Sequence, residues 1–166
     1  MINHLIYCVK DFNLHKKKLI ELIYKIPENK FDYISHTDWT LDENINREYK
    51  EYFKKFILND FVAYFGSMFK GYSQIEIDKF WFQIYRKNDF HAEHTHSRAH
   101  FTNVFYIQLP EENLKTKIKM PDNTILNFNA KEGQIITFPA YCRHSSPINT
   151  SDKEKIIISF NLDCVV

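Results

Sequence analysis

The chain is poor in the residues that mark disordered or disulfide-stabilised proteins. Glycine occurs only three times in 166 residues, against 15 phenylalanines and 10 tyrosines, a balance that predicts a packed globule. The three cysteines, Cys8, Cys142 and Cys164, are far apart and form no CxxC pair. The sequence therefore contains neither a disulfide framework nor a zinc knuckle, and a reducing cytoplasm is the expected location.

An excess of charge of either sign is also lacking. The 22 lysines and arginines nearly balance 21 acidic residues, for a net charge of +1, so no dedicated nucleic-acid or anionic-membrane surface is expected. No apolar run approaches the roughly 20 residues of a membrane span. Residues 1–10 lack the long apolar core and cleavage site of a signal peptide. We expect a soluble protein with no membrane or nucleic-acid partner, and the oligomeric state stays open.

The first part of the chain carries a helical pattern. Apolar residues recur at helical spacing in residues 14–26 and 42–72, with lysines and other polar residues between them. Gly66 and Gly71 predict breaks in the second stretch. Residues 1–72 are therefore expected to be mostly helical.

Residues 75–163 have a different texture, in which short β-branched and aromatic runs alternate with turn residues. The predicted strands, with one more near the N-terminus, are 5–9, 75–85, 91–96, 101–109, 115–119, 125–128, 134–138, 143–148 and 155–162. Short strands after a helical region predict a mainly β fold: a double-sheet roll with the N-terminal helices packed on one sheet. With no repeat or linker, residues 1–166 are expected to form a single domain.

Two histidines one residue apart, His94 and His96, and a third 48 residues further on, His144, indicate a metal site. Residues i and i+2 of a strand point to the same side, so His94 and His96 can share one target. His144 follows an FPAYC segment that is typical of a strand end and turn. Three imidazoles on one face of an ion leave other positions open, as O₂-using non-haem iron enzymes require.

A rival set of ligands overlaps this one. His91 and Glu93 form an HxE pair that would restore the common triad of two histidines and one carboxylate. Strand alternation places His91 and Glu93 on the face opposite His94 and His96, so the two sets cannot bind the same ion. Whether His96 or Glu93 completes the triad is left open by the spacing alone.

Residues 75–163 resemble the Fe(II)/2-oxoglutarate-dependent dioxygenases, and in particular the small, often phage-encoded branch related to prolyl hydroxylases. The matching segments are FWFQIYRK at 80–87, HTH at 94–96, FTNVFYIQLP at 101–110, GQIITFP at 133–139, His144, and KIIISFNL at 155–162. The resemblance implies a double-stranded β-helix, also called a jelly-roll or cupin-like fold. It also implies Fe(II) bound by His94, His96 and His144, with 2-oxoglutarate and O₂ as cosubstrates and ascorbate as a candidate reductant.

The same resemblance implies where 2-oxoglutarate binds. In the family a basic residue after the distal histidine holds the C5 carboxylate, which corresponds here to Lys155, with Lys153 as the alternative. The family usually has Arg there, and a lysine offers a point charge without the two-pronged fork. The family also usually has Asp or Glu at the position of His96. Further candidates for hydrogen bonds to the cosubstrate are Gln83, Tyr85, Thr102, Tyr106 and Asn161.

The implied activity is hydroxylation of a C–H bond, with oxidative decarboxylation of 2-oxoglutarate to succinate and CO₂. The expected substrate is a prolyl residue, another peptide or protein side chain, or an amino acid, in the cytoplasm of a bacterium or a phage-infected host. Two other classes remain. A cupin-like thiol dioxygenase or isomerase would use the three histidines without 2-oxoglutarate, and a structural β-roll module would bind no metal. The FPxxxxH and KxxxSFN segments favour the oxygenase.

Overall fold

Two antiparallel sheets face each other, and helices cover the outer side of the larger one, in a computed structural model that describes residues 4–69, 71–96 and 98–165. The strands are β1 (Leu5–Cys8), β2 (His36–Thr37), β3 (Gln74–Tyr85), β4 (His91–His94), β5 (Phe101–Gln108), β6 (Lys117–Lys119), β7 (Gln134–Pro139), β8 (Arg143–Ser146) and β9 (Lys155–Val165). The larger sheet has the order β1-β7-β5-β9-β3-β2 and the smaller one β4-β8-β6. The predicted mainly β, two-sheet architecture is confirmed.

The helices are α1 (Phe12–Ile23), α2 (Glu48–Phe53) and α3 (Asn59–Met68), with a π-helical stretch, Lys54–Leu58, joining the last two. The predicted break at Gly66 is wrong, because Gly66 lies inside α3. A glycine inside a helix costs about 1 kcal/mol relative to alanine, and the buried side chains of Phe61 and Phe65 on the same helix offset it.

None of the described helices is long and apolar enough to cross a bilayer.

The central strands are buried on both faces, as β9 illustrates. Ile156, Ile158 and Phe160 pack in the core between the larger sheet and the helices, whereas Ile157 packs in the core between the two sheets. Lys155 also faces the smaller sheet, where its ammonium meets a β8 side chain. Strand alternation therefore separates an aromatic, helix-facing side from a more polar side directed into the roll.

One predicted strand is absent from the structure, and each of the others has an end that differs by one to three residues. Residues 125–128 form no strand, and Ile125 makes only an isolated bridge to Lys119 while remaining 60% exposed. The predicted strand 91–96 ends at His94, so His96 lies beyond it. Conversely, the observed strand β2 was not predicted, because two residues are too few to show the alternation of a strand.

Phenylalanine rings hold the helices to the larger sheet. The Phe160 ring on β9 lies 5.5 Å from Phe53, 5.4 Å from Phe61 and 5.8 Å from Phe80, measured between centroids. All four side chains are buried, and aromatic pairs at these separations add to the free energy gained by burial alone.

We expect Phe160→Ala to lower the free energy of unfolding by about 3–5 kcal/mol, because it leaves a cavity in this cluster. Phe56→Ala is the matched control, since Phe56 is 48% exposed on the helical side; it should cost less than about 1 kcal/mol. Urea unfolding followed by circular dichroism measures both. Equal losses in the two variants would contradict the packing described.

Candidate metal and cosubstrate site

Three histidines from the smaller sheet and the segment after β4 converge at one end of the roll. His94 on β4 lies opposite His144 in the β4–β8 ladder, and His96 follows two residues later. One ring nitrogen of each histidine lies within 4.8 Å of the others. Metal–nitrogen bonds of about 2.1 Å allow two donors up to about 4.2 Å apart. Small side-chain rotations therefore bring all three nitrogens onto one ion.

Backbone carbonyls orient two of the rings. His94 Nδ1 donates to the Ala92 carbonyl at 2.8 Å, and His144 Nδ1 donates to the Cys142 carbonyl at 3.0 Å. A carbonyl can only accept, so each Nδ1 carries the proton and each Nε2 keeps its lone pair for a metal. His96 Nε2 is buried without a hydrogen-bond partner among the described residues. A buried polar atom of this kind is costly, and a metal bond would satisfy it.

The three imidazoles are neutral near pH 7. Burial, reinforced by repulsion from neighbouring histidines, lowers the pKa of His96 to about 4 and that of His144 to about 3. Burial also lowers the pKa of His94, against the opposing hydrogen bond to Ala92. Neutral imidazole is the form that coordinates a transition metal, so the donor set fits such an ion without first losing protons.

The expected position of His91 is wrong. Instead of facing away from His94, its ring stacks on the His94 ring with centroids 4.0 Å apart and lines the same cavity. The β4–β8 ladder is irregular between His91 and His94, and this irregularity disrupts the alternation on which the expectation rested. The Glu93 carboxylate turns outward, 3.3 Å from Arg143 and 4.0 Å from Lys119. The geometry therefore favours His96 over Glu93 as the third ligand.

Lys155 is a fully buried lysine beside this cluster. Its Nζ donates to Ser146 Oγ at 2.8 Å and lies 5.1 Å from the centre of the Tyr85 ring. Burial alone lowers the pKa of Lys155 to about 7, with no carboxylate of the described residues opposing it. A buried, unpaired ammonium is costly, and an anionic ligand would compensate it. Lys153, the alternative anchor, is exposed.

The other candidates divide into two groups. Gln83, Tyr85 and Thr102 line the cavity beside the histidines. Asn161 and Tyr106 do not line it: Asn161 lies beside Thr102 on the neighbouring strand and accepts its hydroxyl hydrogen bond at 3.3 Å, and the Tyr106 hydroxyl accepts the backbone N–H of Thr116 at 3.0 Å. Burial raises the pKa of Tyr85 and raises that of Tyr106 to about 12, so both phenols stay protonated.

Several cavity residues were not predicted from the sequence. Trp81, Ser146 and Ser159 also line the cavity. Trp81 is two residues from Gln83 and Ser146 two residues from His144. Ser159 is four residues from Lys155, so each lies on the same strand face as a predicted residue. The same strand alternation that grouped the histidines would have identified them.

The cavity has an inner and an outer part. The inner cavity, against the triad, is about 20 Å³, enough for one water molecule. It adjoins a cavity of about 210 Å³, and both are lined by Trp81, Gln83, His91, His94 and His96. A five-carbon dicarboxylate beside the triad therefore requires the inner side chains to move apart.

Several solved structures have a fold similar to that of this chain. An oxidoreductase of the 2OG-Fe(II) oxygenase family from Burkholderia pseudomallei matches with a TM-score of 0.79 at 11% identity, over 97% of this chain and 84% of that one. The chain has the fold of the 2-oxoglutarate and Fe(II) oxygenases. This bears out the predicted double-stranded β-helix.

Two prolyl hydroxylases match as well. The viral collagen prolyl hydroxylase of Paramecium bursaria Chlorella virus-1, solved as a 2OG complex, matches with a TM-score of 0.63 at 16% identity over 99% of this chain and 97% of that one. A prolyl hydroxylase from Trichoplax adhaerens, in complex with a hypoxia-inducible-factor peptide fragment, has a TM-score of 0.69 at 9% identity, with 97% and 83% covered. No protein-family model and no curated protein sequence matches the chain. At such identities the likeness is one of fold, and activity must be argued from the site.

We expect the protein to bind one Co(II) or Fe(II) per chain and His144→Ala to weaken that binding by at least about 100-fold, because loss of a ligand should exceed the 10–100-fold effect typical of outer-shell partners. Glu93→Ala is the control and should leave the affinity unchanged, since its carboxylate faces outward. Anaerobic Co(II) titration followed by absorption spectroscopy measures both. Loss of binding in Glu93→Ala with retention in His96→Ala would establish the rival ligand set.

Proposed function

We propose that the protein is an Fe(II)- and 2-oxoglutarate-dependent oxygenase that hydroxylates a C–H bond. The observation that carries this proposal is the pairing of a three-histidine cluster with a buried lysine that lacks an anionic partner among the described residues. Strand β8 links them, because His144 and Ser146 face the same side and Ser146 accepts the Lys155 hydrogen bond. Residues two apart on a strand are about 6.6 Å apart, which is the scale of a five-carbon dicarboxylate.

Each group has a distinct part in this proposal. His94, His96 and His144 would hold Fe(II) on one face, and Lys155 would pair with the distal carboxylate of 2-oxoglutarate. Gln83, Tyr85 and Thr102 would supply hydrogen-bonding groups in the cavity, while Asn161 and Tyr106 would act through their hydrogen bonds to Thr102 and Thr116. When bound, Fe(II), 2-oxoglutarate and O₂ supply the oxidising power, giving succinate, CO₂ and a hydroxylated product. A dependence on ascorbate as reductant stays a prediction.

The two other classes fit the site less well. A structural β-roll module has no use for a buried ring nitrogen without a partner at His96. A cupin-like thiol dioxygenase or isomerase would use the histidines and leave the buried ammonium of Lys155 uncompensated. Both features are costly to the folded state, so we attribute them to ligands that compensate them.

The substrate we propose is a peptide, protein or amino-acid residue. The Trichoplax prolyl hydroxylase, which has this fold and was solved with a peptide fragment, supports a peptide as the kind of substrate. A prolyl residue is the first candidate, since both prolyl hydroxylases above share the fold.

We expect Fe(II)-dependent conversion of 2-oxoglutarate to succinate, slow without substrate, and loss of 2-oxoglutarate affinity in Lys155→Met. Leaving a buried carboxylate unpaired costs about 2–5 kcal/mol, or about 30- to 5,000-fold in Kd. Lys153→Met should bind 2-oxoglutarate like the unaltered protein. Isothermal titration and NMR detection of succinate, with and without ascorbate, measure these effects. The reverse ranking of the two lysines would transfer the anchor to Lys153.

The affinity for 2-oxoglutarate should fall as pH rises above about 7. Lys155 has a pKa of about 7 in the free protein, so above that pH it is largely neutral and must take up a proton to pair with a carboxylate. Binding is then coupled to proton uptake, and Kd rises toward about tenfold per pH unit. Calorimetry in buffers of different ionisation enthalpy counts the protons. In Lys155→Met the uptake should vanish; uptake that persists there would assign it to another group.

A further inference from the structure

The outer cavity has walls from two distant parts of the chain. Its floor consists of the residues shared with the inner cavity, including His94 and His96. The opposite wall comes from the segment between α1 and α2. We call residues 31–39 the wall segment; its cavity-lining residues are Phe31, Ile34, Thr37 and Trp39. Any group bound in the outer cavity would therefore lie next to the proposed metal ligands.

The wall segment is fixed to the roll at several points. The Ser35 N–H donates to the Asp89 carboxylate at 2.9 Å, and the Thr37 hydroxyl donates to the Phe82 carbonyl at 2.6 Å. The Tyr33 ring stacks on Phe90 with centroids 4.3 Å apart. These anchoring residues lie between the residues that line the cavity, and Thr37 does both. The wall is consequently preorganised.

Among the described residues, no Asp, Glu, Lys or Arg side chain lines the outer cavity, and the carboxylate of the wall segment itself is turned away. Asp38 lies between Thr37 and Trp39, yet its carboxylate accepts hydrogen bonds from the Tyr49 hydroxyl at 2.7 Å and from Arg47 Nε at 3.0 Å, on the other side of the segment. The carboxylate is completely buried in this network. The segment thus presents its apolar side to the cavity and keeps its charge paired elsewhere.

A pair of tryptophans separates the outer cavity from a charged cleft. The rings of Trp39 and Trp81 meet edge to face with centroids 4.6 Å apart, and both line each space. The cleft beyond them, about 440 Å³, is lined by Glu43, Arg47, Lys50, Asp78 and Lys79 among others. The Lys79 ammonium lies 4.8 Å from the centre of the Trp39 ring. Charge is therefore abundant on one side of the pair and missing on the other.

The size of the outer cavity limits what it can hold. An engineered apolar cavity of about 150 Å³ binds benzene, so 210 Å³ accommodates one ring-sized group and little more. An ionic group entering it would lose its hydration without gaining a partner of opposite charge, which is strongly unfavourable. Gln83 and His91 at the floor offer hydrogen bonds but no fixed charge.

We propose that the outer cavity binds a single uncharged, ring-sized apolar group of the substrate, and that Trp39 and Trp81 determine this selectivity. The inference rests on the proposed function, because it takes the bound group to be the one that is hydroxylated. Charged groups that flank this group in the substrate lie outside the cavity, on the far side of the tryptophan pair.

Binding can be measured independently of turnover, because Trp39 and Trp81 are the only tryptophans in the sequence. The full chain is titrated with N-acetylated, amidated amino acids while tryptophan fluorescence is recorded. Proline, norleucine and phenylalanine derivatives should change the emission. The lysine derivative, which has the same four side-chain carbons as norleucine and adds a terminal ammonium group, should bind at least about tenfold more weakly. Equal binding of the norleucine and lysine derivatives, or no response to any uncharged probe, would overturn the proposal.

Trp39→Ala tests the wall directly, with Trp81 as the remaining reporter. Trp39 is 40% exposed, so its truncation should leave the fold intact; we expect at least about tenfold weaker binding of the norleucine derivative. Phe56→Ala, which removes a similarly exposed ring on the opposite side of the larger sheet, should have no effect. If Trp39→Ala unfolds, Trp39→Phe takes its place and should show a smaller loss. Equal affinities in the Trp39 and Phe56 variants would remove Trp39 from the site.

A parallel assay separates this inference from the proposed function. Succinate formation from 2-oxoglutarate is followed with Fe(II) and each probe. Binding of uncharged probes without any succinate would retain the cavity assignment and contradict the oxygenase. Succinate formation stimulated equally by norleucine and lysine derivatives would retain the oxygenase and contradict the selectivity.

Discussion

The pairing of β4 with β8 is the constraint on which the site depends. It sets His94 against His144, and by strand alternation it carries Ser146 to the side where Lys155 lies. Because His94 and His144 are also fixed through backbone carbonyls, the smaller sheet determines both the position and the direction of two of the three donor atoms. The three-stranded sheet thus positions the metal ligands, and it depends for its own stability on packing against the larger sheet.

The larger sheet reconciles two opposed requirements. Its helix-facing side carries phenylalanines whose burial stabilises the fold, while its inner side holds polar groups whose burial destabilises it. Lys155 is the extreme case, since burial alone lowers its pKa to about 7. Neighbouring residues on β9 therefore have opposite effects on stability, and the free energy gained on one face offsets the cost of burying polar groups on the other.

The sequence predicted those parts of the molecule that follow from the alternation of side chains along a strand. Alternation identified the long strands and placed His94 and His96 near each other, and the resemblance pointed to Lys155. The face of His91 was wrong because an irregularity in a ladder depends on the partner strand, which no local pattern reveals. Strand β2 and the wall segment were not foreseen either, because hydrogen bonds to Phe82 and Asp89, far along the chain, give them their shape. The predicted break at Gly66 was wrong because the tertiary packing of α3 outweighed the low helix propensity of glycine.

The Asp38 network makes the wall segment a separately anchored unit. The Asp38 carboxylate accepts hydrogen bonds from the Tyr49 hydroxyl on α2 and from the backbone N–H of Phe82 on β3. Neither donor lies on β4 or β8, the strands that carry His94 and His144. The cavity wall and the three-histidine cluster are thus held by different contacts, so substitutions at Phe31, Ile34 or Trp39 would reshape the outer cavity without displacing the proposed metal ligands.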